Sequence, residues 1–483
     1  MARSILVNTL IRQLAIFINL VSKILILVII GRLYGPEKFG VYSLVFVIYN
    51  YLYVFSGIGL KNYVFYQYSK EKHTKLHTDF NNVLSIISFI SFFLIFFVLL
   101  VLLISGLGKE FLLFSLILNI GIIFDTLSEI FFHFLDSQER MVESSLLRMG
   151  ANPISLIFIS LTILILKFNF IFIFVGFLLS KILIFVLTII KFKKTFDFKF
   201  RITTKPNFKK NFYLFKETIP FALNNFVTLG LNRIDILILS IVANKHAIGI
   251  YNSSLSLILR LNSIIRPFIN AIFPRLNYYY HNNKIGFKNL FNNSSRIILT
   301  SGVYFFLVFF LGGEKIVIFF WGEKFYQSIP VIKILSLMII FKFINALLVD
   351  VITISGNQLK RAKLIFYAFI FNLFLNIYLI PRFSYIGAAY SAVFTHILIF
   401  FGLIILLKRL KIKIDFDIFL TAKLVILVFL IIFFNRLIIH LDFFLYFVTL
   451  TTTFTLTCIL FKIIHKNDFL KVLTFFNRQK KLS

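Results

Sequence analysis

The chain has one cysteine, Cys458, and that residue sits in an apolar run, so neither a disulfide framework nor a cysteine metal site can be built. Acidic residues are few as well: 19 Asp and Glu stand against 51 Lys and Arg, and all charged residues together make up only 14% of the chain. Histidine offers little to catalysis, because His396 stands alone in mid-segment and the others fall in or near loops. There is no close His, Asp and Glu constellation, no Walker-type loop and no glycine-rich nucleotide motif. The expectation is therefore a non-enzyme with no catalytic residue, no metal and no cofactor beyond a coupling proton or sodium ion.

What the sequence does contain is hydrocarbon. Hydrophobic residues make up 59% of the 483 positions, and the mean hydropathy is +0.94. A soluble domain of this length could not bury so much apolar surface, so the fold class is an all-α polytopic membrane protein. Fourteen apolar segments are long enough to cross a bilayer, which takes about 20 residues each. The first lacks a small-residue cleavage site and is followed by further segments, so it reads as a retained helix. Lys and Arg crowd alternate loops, which places both termini in the cytoplasm. The formal net charge of +32 is read as this topology signal and as contact with anionic lipid heads, not as nucleic-acid binding.

Internal repetition divides the chain. Gly40-Val41-Tyr42 and Gly249-Ile250-Tyr251 each follow a short turn between two apolar segments. The same offset places Asn8, Ala15, Asn19 and Lys23 on Glu217, Asn224, Thr228 and Asn232, so a polar stripe recurs on the same helix face. The loop Lys191 to Lys216 holds nine basic residues and separates segments one to six from seven to twelve. Residues 1–191 are expected to form one six-helix bundle and 215–408 a pseudo-symmetric second, joined by a basic linker, 192–214. Residues 409–483 add two further helices and a basic tail with the pattern of an interfacial helix.

The stripes name the candidate functional residues. Glu217, Asn224, Thr228, Asn232 and Asp235 fall within ~80° of arc on the seventh segment. Ser253, Ser256, Arg260, Ser263, Pro267, Asn270 and Pro274 occupy ~100° on the eighth, with Arg266 at the edge. Polar groups at membrane depth are costly and normally face a bundle interior or a wet cavity. Arg12, Asn19, Lys23, Asn224, Thr228, Asn232, Arg260 and Arg266 are therefore the candidate substrate-binding residues. For the four basic ones the other reading is snorkelling or structural pairing. Asp235, Asp125 and Glu129 are candidates for ion coupling. Asp125 and Glu129 lie four apart on one helix face, where they either share a proton or neutralise a base from another helix. Arg233 lies away from its stripe and is expected to be structural, and Lys333 to snorkel.

Several short blocks carry a resemblance. Arg32-Leu33-Tyr34-Gly35-Pro36-Glu37-Lys38-Phe39-Gly40-Val41-Tyr42-Ser43 resembles the first hairpin of bacterial polysaccharide biosynthesis proteins, the O-antigen-type lipid-linked oligosaccharide flippases. Ile219-Pro220, Asn232-Arg233-Ile234-Asp235 and Gly249-Ile250-Tyr251 look like that family's seventh and eighth helices. Asn376-Ile377-Tyr378-Leu379-Ile380-Pro381 followed by Tyr385-Ile386-Gly387-Ala388-Ala389-Tyr390 is similar to its eleventh-to-twelfth turn. The family shares a superfamily with multidrug exporters and the flippase of peptidoglycan's lipid precursor. The resemblance implies two bundles rocking about a central cavity in the bacterial cytoplasmic membrane. It implies as substrate a glycan on a polyprenyl pyrophosphate, and as further partners membrane lipids and the pathway's polymerase and glycosyltransferases. An ion-coupled exporter of cationic drugs fits the same fold but not the basic excess on the stripes. A membrane glycan polymerase would need a larger outer loop. Reporter fusions at His73, Lys205, His281 and Lys411 should read cytoplasm and those at Lys245 and Trp321 outside; an outside reading at Lys205 would break the two-half scheme.

Overall fold

The computed structural model describes residues 2–57, 76–104, 108–165, 169–196, 208–412 and 417–463, with 60, 64 and 414. Twelve helices among these residues are long and apolar enough to cross a membrane. In chain order the helices are α1 (Ala2–Gly57), α2 (Leu76–Ile104), α3 (Lys109–Ser137), α4 (Met141–Ile165), α5 (Ile171–Thr195), α6 (Phe208–Val242) and α7 (Lys245–Arg260). They continue with α8 (Asn262–Asn282), α9 (Lys284–Leu311), α10 (Gly313–Trp321), α11 (Ser328–Ile354), α12 (Gln358–Arg409), α13 (Ile418–Ile438) and α14 (Phe443–Leu460). The expected interfacial helix of the tail lies outside the described residues.

Two of the crossing helices are hairpins, which accounts for the difference between twelve helices and the fourteen crossings read from the sequence. In α12 the break is at Ser384, whose φ of 51° and ψ of −132° are non-helical. Asn372 donates to Thr395 Oγ1 at 2.9 Å, although a straight helix would hold residues so far apart in sequence ~35 Å from each other. The chain has doubled back. Gly387 is what lets the arms close, because a Cβ there would stand 2.3 Å from the carbonyl oxygen of Leu379.

In α1 the break is at Gly35, φ 73° and ψ −178°, a conformation nearly restricted to glycine. The α4–α5 contacts Ser155–Ser180 (2.7 Å) and Thr162–Phe172 O (3.1 Å) fix the levels along that pair. Asn19 then lies level with Asn152 (2.7 Å) and Tyr42 with Phe174 (ring centroids 6.4 Å), a rise of ~12 Å. Straight helix would separate Asn19 from Tyr42 by ~35 Å, whereas a reversal at Gly35 leaves ~14 Å.

The chain packs as two compact units, Arg3–Tyr34 with Lys38–Leu237, and Gly35–Glu37 with Ile238–Ser483. Packing thus divides the chain within α6 and not in the linker 192–214. Phe226 of α6 meets Tyr51 at 5.8 Å and Phe55 at 5.4 Å, which ties most of that helix to the first unit. Division by repeat and division by packing differ by one helix.

Each unit has an aromatic-rich or aliphatic core. In the first, Phe80 stacks on Phe192 at 5.9 Å and meets Phe131 and Phe134 edge-on. In the second, Leu427 and Ile431 of α13 and Tyr446 and Leu450 of α14 pack against Val303 and Leu307 of α9. The two C-terminal helices are therefore built into that unit. Outward, Phe92, Phe93, Phe96 and Phe97 of α2 are all more than half exposed, which only a hydrocarbon solvent makes favourable. The threonine run of α14 is compatible with it because the hydroxyls of Thr449, Thr451, Thr453, Thr455 and Thr457 donate to carbonyls one turn back.

Gly387→Val should lower stability by ~3 kcal/mol through overpacking against the Leu379 carbonyl, read as a lower detergent melting temperature. Exposed Tyr390→Phe, in the same arm, should melt with the wild type.

Candidate functional site

The polar residues of the first unit form connected sets. Asp125 and Glu129 are one turn apart on α3, and each meets a base from a different helix. Asp125 pairs with Lys181 of α5 and accepts from the Tyr49 hydroxyl. Lys181 in turn donates to Tyr49 at 2.7 Å and lies 4.5 Å from the centre of its ring. Gly121 makes room for that lysine, since a Cβ there would meet the Lys181 stem at 2.5 Å. Glu129 pairs with Arg148 of α4 at 3.2 Å, and the same guanidinium reaches Asp136 at 2.9 Å while its carbon sits 5.0 Å over the Phe132 ring. His133 approaches Glu129 at 3.8 Å. Of the two readings open for this acid pair, the geometry matches neutralisation by bases from neighbouring helices.

Arg148, Asp136 and Lys181 are the functional-looking residues that stripe reasoning passed over. Arg148 lies near a segment end, and Lys181 stands on no polar stripe of its own. The available signal was charge balance: two acids on one membrane face require bases from elsewhere in the bundle.

Asn19 donates to the Arg148 carbonyl at 3.2 Å and accepts from Asn152 at 2.7 Å. It thereby joins the first arm of α1 to α4. Lys23 is exposed. Arg12 lies among residues whose side chains are outside the description. On α6, Asn224 and Thr228 are exposed, Thr228 donates to the Asn224 carbonyl at 2.7 Å, and Asn232 donates to that of Thr228 at 2.6 Å. The stripe is thus hydrogen-bonded along its own helix. Asp235, one turn on, is only 5% exposed and accepts from the Ile236 amide at 2.8 Å.

In the second unit the crossing Lys245–Asn282 is divided only at Leu261, whose φ of −59° and ψ of −24° remain helical. α7 ends at Arg260 and α8 starts at Asn262, with Pro267 and Pro274 further along. Arg260 is half-buried at that junction and donates to the Ser256 carbonyl of its own helix. Arg266 reaches across to Asp350 of α11 at 3.1 Å, and Asp350 is 4% exposed. For Arg266 this is the structural pairing foreseen as its second reading. Arg361 of α12 bonds Thr353 at 2.7 Å just beyond. Asn345 donates to the His396 carbonyl at 3.0 Å, so the lone mid-segment histidine lies beside a buried amide.

With the fold and these residues in place, comparison with known proteins decides the family. A family profile described as polysaccharide biosynthesis protein matches residues 5–279. The chain belongs to the polysaccharide biosynthesis protein family. A search by sequence among curated proteins finds no significant match. Among solved structures, the lipid II flippase MurJ in an inward closed conformation superposes with a TM-score of 0.76 at 16% identity, over 95% of this chain and 100% of that one. An inward-facing multidrug resistance MATE family transporter of the MOP superfamily gives 0.66 at 13% identity, over 83% and 99%. A MOP superfamily transporter from Pyrococcus furiosus gives 0.56 at 13%, over 84% and 96%. These likenesses establish that the family member shares a polytopic helical fold with those transporters.

Arg148→Met should destabilise the chain by roughly 1–3 kcal/mol, because it strands Glu129 and Asp136; partial exposure keeps the loss below that of a fully buried pair. Removing all three charges together, as Glu129→Gln, Asp136→Asn and Arg148→Met, should recover part of the loss. Thermal unfolding in detergent measures both, and equal melting of the single and triple variants would contradict the network.

Proposed function

We propose that this protein is a flippase that carries a polyprenyl-pyrophosphate-linked oligosaccharide from the inner to the outer leaflet of a bacterial cytoplasmic membrane, for surface polysaccharide assembly. The observation that carries the reading is an exposed polar stripe on crossing helices, Lys23 on α1 with Asn224 and Thr228 on α6, in a member of the polysaccharide biosynthesis protein family. A pyrophosphate and several sugars cannot enter ~30 Å of hydrocarbon without water, hydrogen-bonding groups and positive charge. The polyprenyl tail has no such need and stays in lipid.

In this reading Lys23 and Arg260, one on each half of the repeat, are each candidates for charge-assisted hydrogen bonds to a pyrophosphate. Asn19, Asn224, Thr228 and Asn232 meet the neutral sugars, with Arg12 at the cytoplasmic entry. Arg266 acts through Asp350, which ties α8 to α11. Asp235, 5% exposed on the α6 stripe, is the acid proposed for coupling to a proton or sodium ion, while Asp125 and Glu129 pair with Lys181 and Arg148. Both termini lie in the cytoplasm, and the pathway's polymerase and glycosyltransferases work on either side. The sequence repeat reads as a duplication of six crossings, and transport in this reading proceeds by alternating access. Ion-coupled drug export, the second reading, suggested by the multidrug resistance MATE transporter, is disfavoured because the stripes hold more basic than acidic residues.

Loss of the protein should leave finished lipid-linked glycan on the inner leaflet, and absence of the precursor itself would replace transport by synthesis. Lys23→Glu and Arg260→Glu should each cut export more than tenfold, about 1.4 kcal/mol, with the membrane protein level unchanged. Lys23→Arg should keep most activity and Lys333→Gln nearly all. Wild-type export by both Glu variants would sink the anion slot while leaving the family intact.

A further inference from the structure

The two arms of α12 are helically regular and antiparallel, and each turns an apolar stripe toward the same groove. One arm contributes Tyr367, Phe371 and Leu375, spaced one turn apart, and the other Phe394, Leu398 and Phe401. Between them runs a groove of about 960 Å³. Gly402 sits in its wall next to Leu364, where a Cβ would approach the leucine at 3.1 Å, so a larger residue would narrow the groove. Tyr367, Phe394 and Phe401 are 68%, 50% and 58% exposed.

Only one end of the groove is charged, and with one sign. Lys360 and Lys363 come from the first arm and Arg409 from the second, with no carboxylate among the lining residues. Among the described residues no acid pairs with any of the three. From Lys360 to Leu375 the groove is ~22 Å long. That is about half of the ~40–45 Å thickness of a bilayer with its headgroups. With its charged end at headgroup level, a groove of that length would end near the bilayer midplane.

We propose that this groove is a binding site for an anionic two-chain phospholipid of the phosphatidylglycerol class. The phosphate sits among Lys360, Lys363 and Arg409, and the acyl chains lie along the aromatic and leucine stripes. Three observations select this occupant. The basic end demands a negative headgroup, the length matches one leaflet, and beyond that end the walls are Phe, Leu and Ile side chains with the Tyr367 hydroxyl as the one side-chain group along them able to hydrogen-bond a sugar. A polyprenyl chain is longer than a leaflet is thick and would extend beyond the groove. Basic pockets between crossing helices at a headgroup level hold such lipids in general. The site is separate from the stripes assigned to substrate, so it stands or falls independently of the flippase reading.

The test is native mass spectrometry of the purified full-length chain titrated with phosphatidylglycerol, phosphatidylcholine or polyprenyl diphosphate. Phosphatidylglycerol should be retained one per chain, at least tenfold more tightly than phosphatidylcholine, and less so as salt rises. Lys360→Gln with Lys363→Gln and Arg409→Gln should reduce its retention to the phosphatidylcholine level. Lys408→Gln with Lys411→Gln, which removes nearby charge that does not line the groove, should leave it unchanged. Gly402→Phe should weaken retention of phosphatidylglycerol without altering the charge. If the triple variant does not elute as a folded species, Arg409→Gln alone should still give about a threefold loss. Equal losses in the lining and neighbouring charge variants would overturn the site in favour of diffuse attraction. Preferential retention of polyprenyl diphosphate, abolished by the same triple change, would overturn the occupant.

Discussion

Hydrocarbon cannot accept or donate a hydrogen bond, and nearly every polar feature of this chain answers to that constraint. The backbone answers it by being helical. Side chains answer it in two ways. Short ones bond backward along their own helix, as the threonines of α14 do. Longer ones find a partner on another helix, and those partnerships hold the bundles in register. Asn372 shows the principle in its smallest form: it bonds Ser391 and Thr395 across the hairpin and accepts from Asn376 along its own arm. Four polar groups that would each be costly alone become a specific lock between two apolar helices.

The ion pairs apply the same rule to charge. Asp125 with Lys181 and Glu129 with Arg148 link α3 to two different neighbours from a single face. Asp350 with Arg266 does so in the second unit. A buried pair adds little net stability compared with apolar packing, but a broken one is expensive. Such pairs are therefore better seen as devices that forbid sliding. This gives the acids of α3 a role in positioning α4 and α5.

Exposure separates the remaining polar residues from these locks. Lys23, Asn224 and Thr228 lie on crossing helices and are exposed, and Thr228 and Asn224 are hydrogen-bonded to each other along their own helix. They are the groups whose cost a hydrated passage would remove. The groove of α12 is the opposite case: an apolar channel with charge at one end only, suited to a molecule that is itself amphipathic.

The sequence by itself determined the solvent, the number of crossings and the family blocks, because these depend on local quantities. Hydropathy sums over some twenty residues, and the turn at Gly35-Pro36 needs only glycine's freedom at one position. The stripe on α6 was equally legible, since helical spacing alone places Asn224, Thr228 and Asn232 on one face. Partner choice was not. Whether Asp125 faces another acid or Lys181, and whether Arg266 faces water or Asp350, depends on how helices far apart in sequence are rotated and stacked. Only the tertiary structure decided those, because helix packing, not spacing along one helix, brings the second charge within reach. It also decided where the chain divides, since the contacts of Phe226 with Tyr51 and Phe55 bind α6 to the first unit although the repeat assigns that helix to the second half.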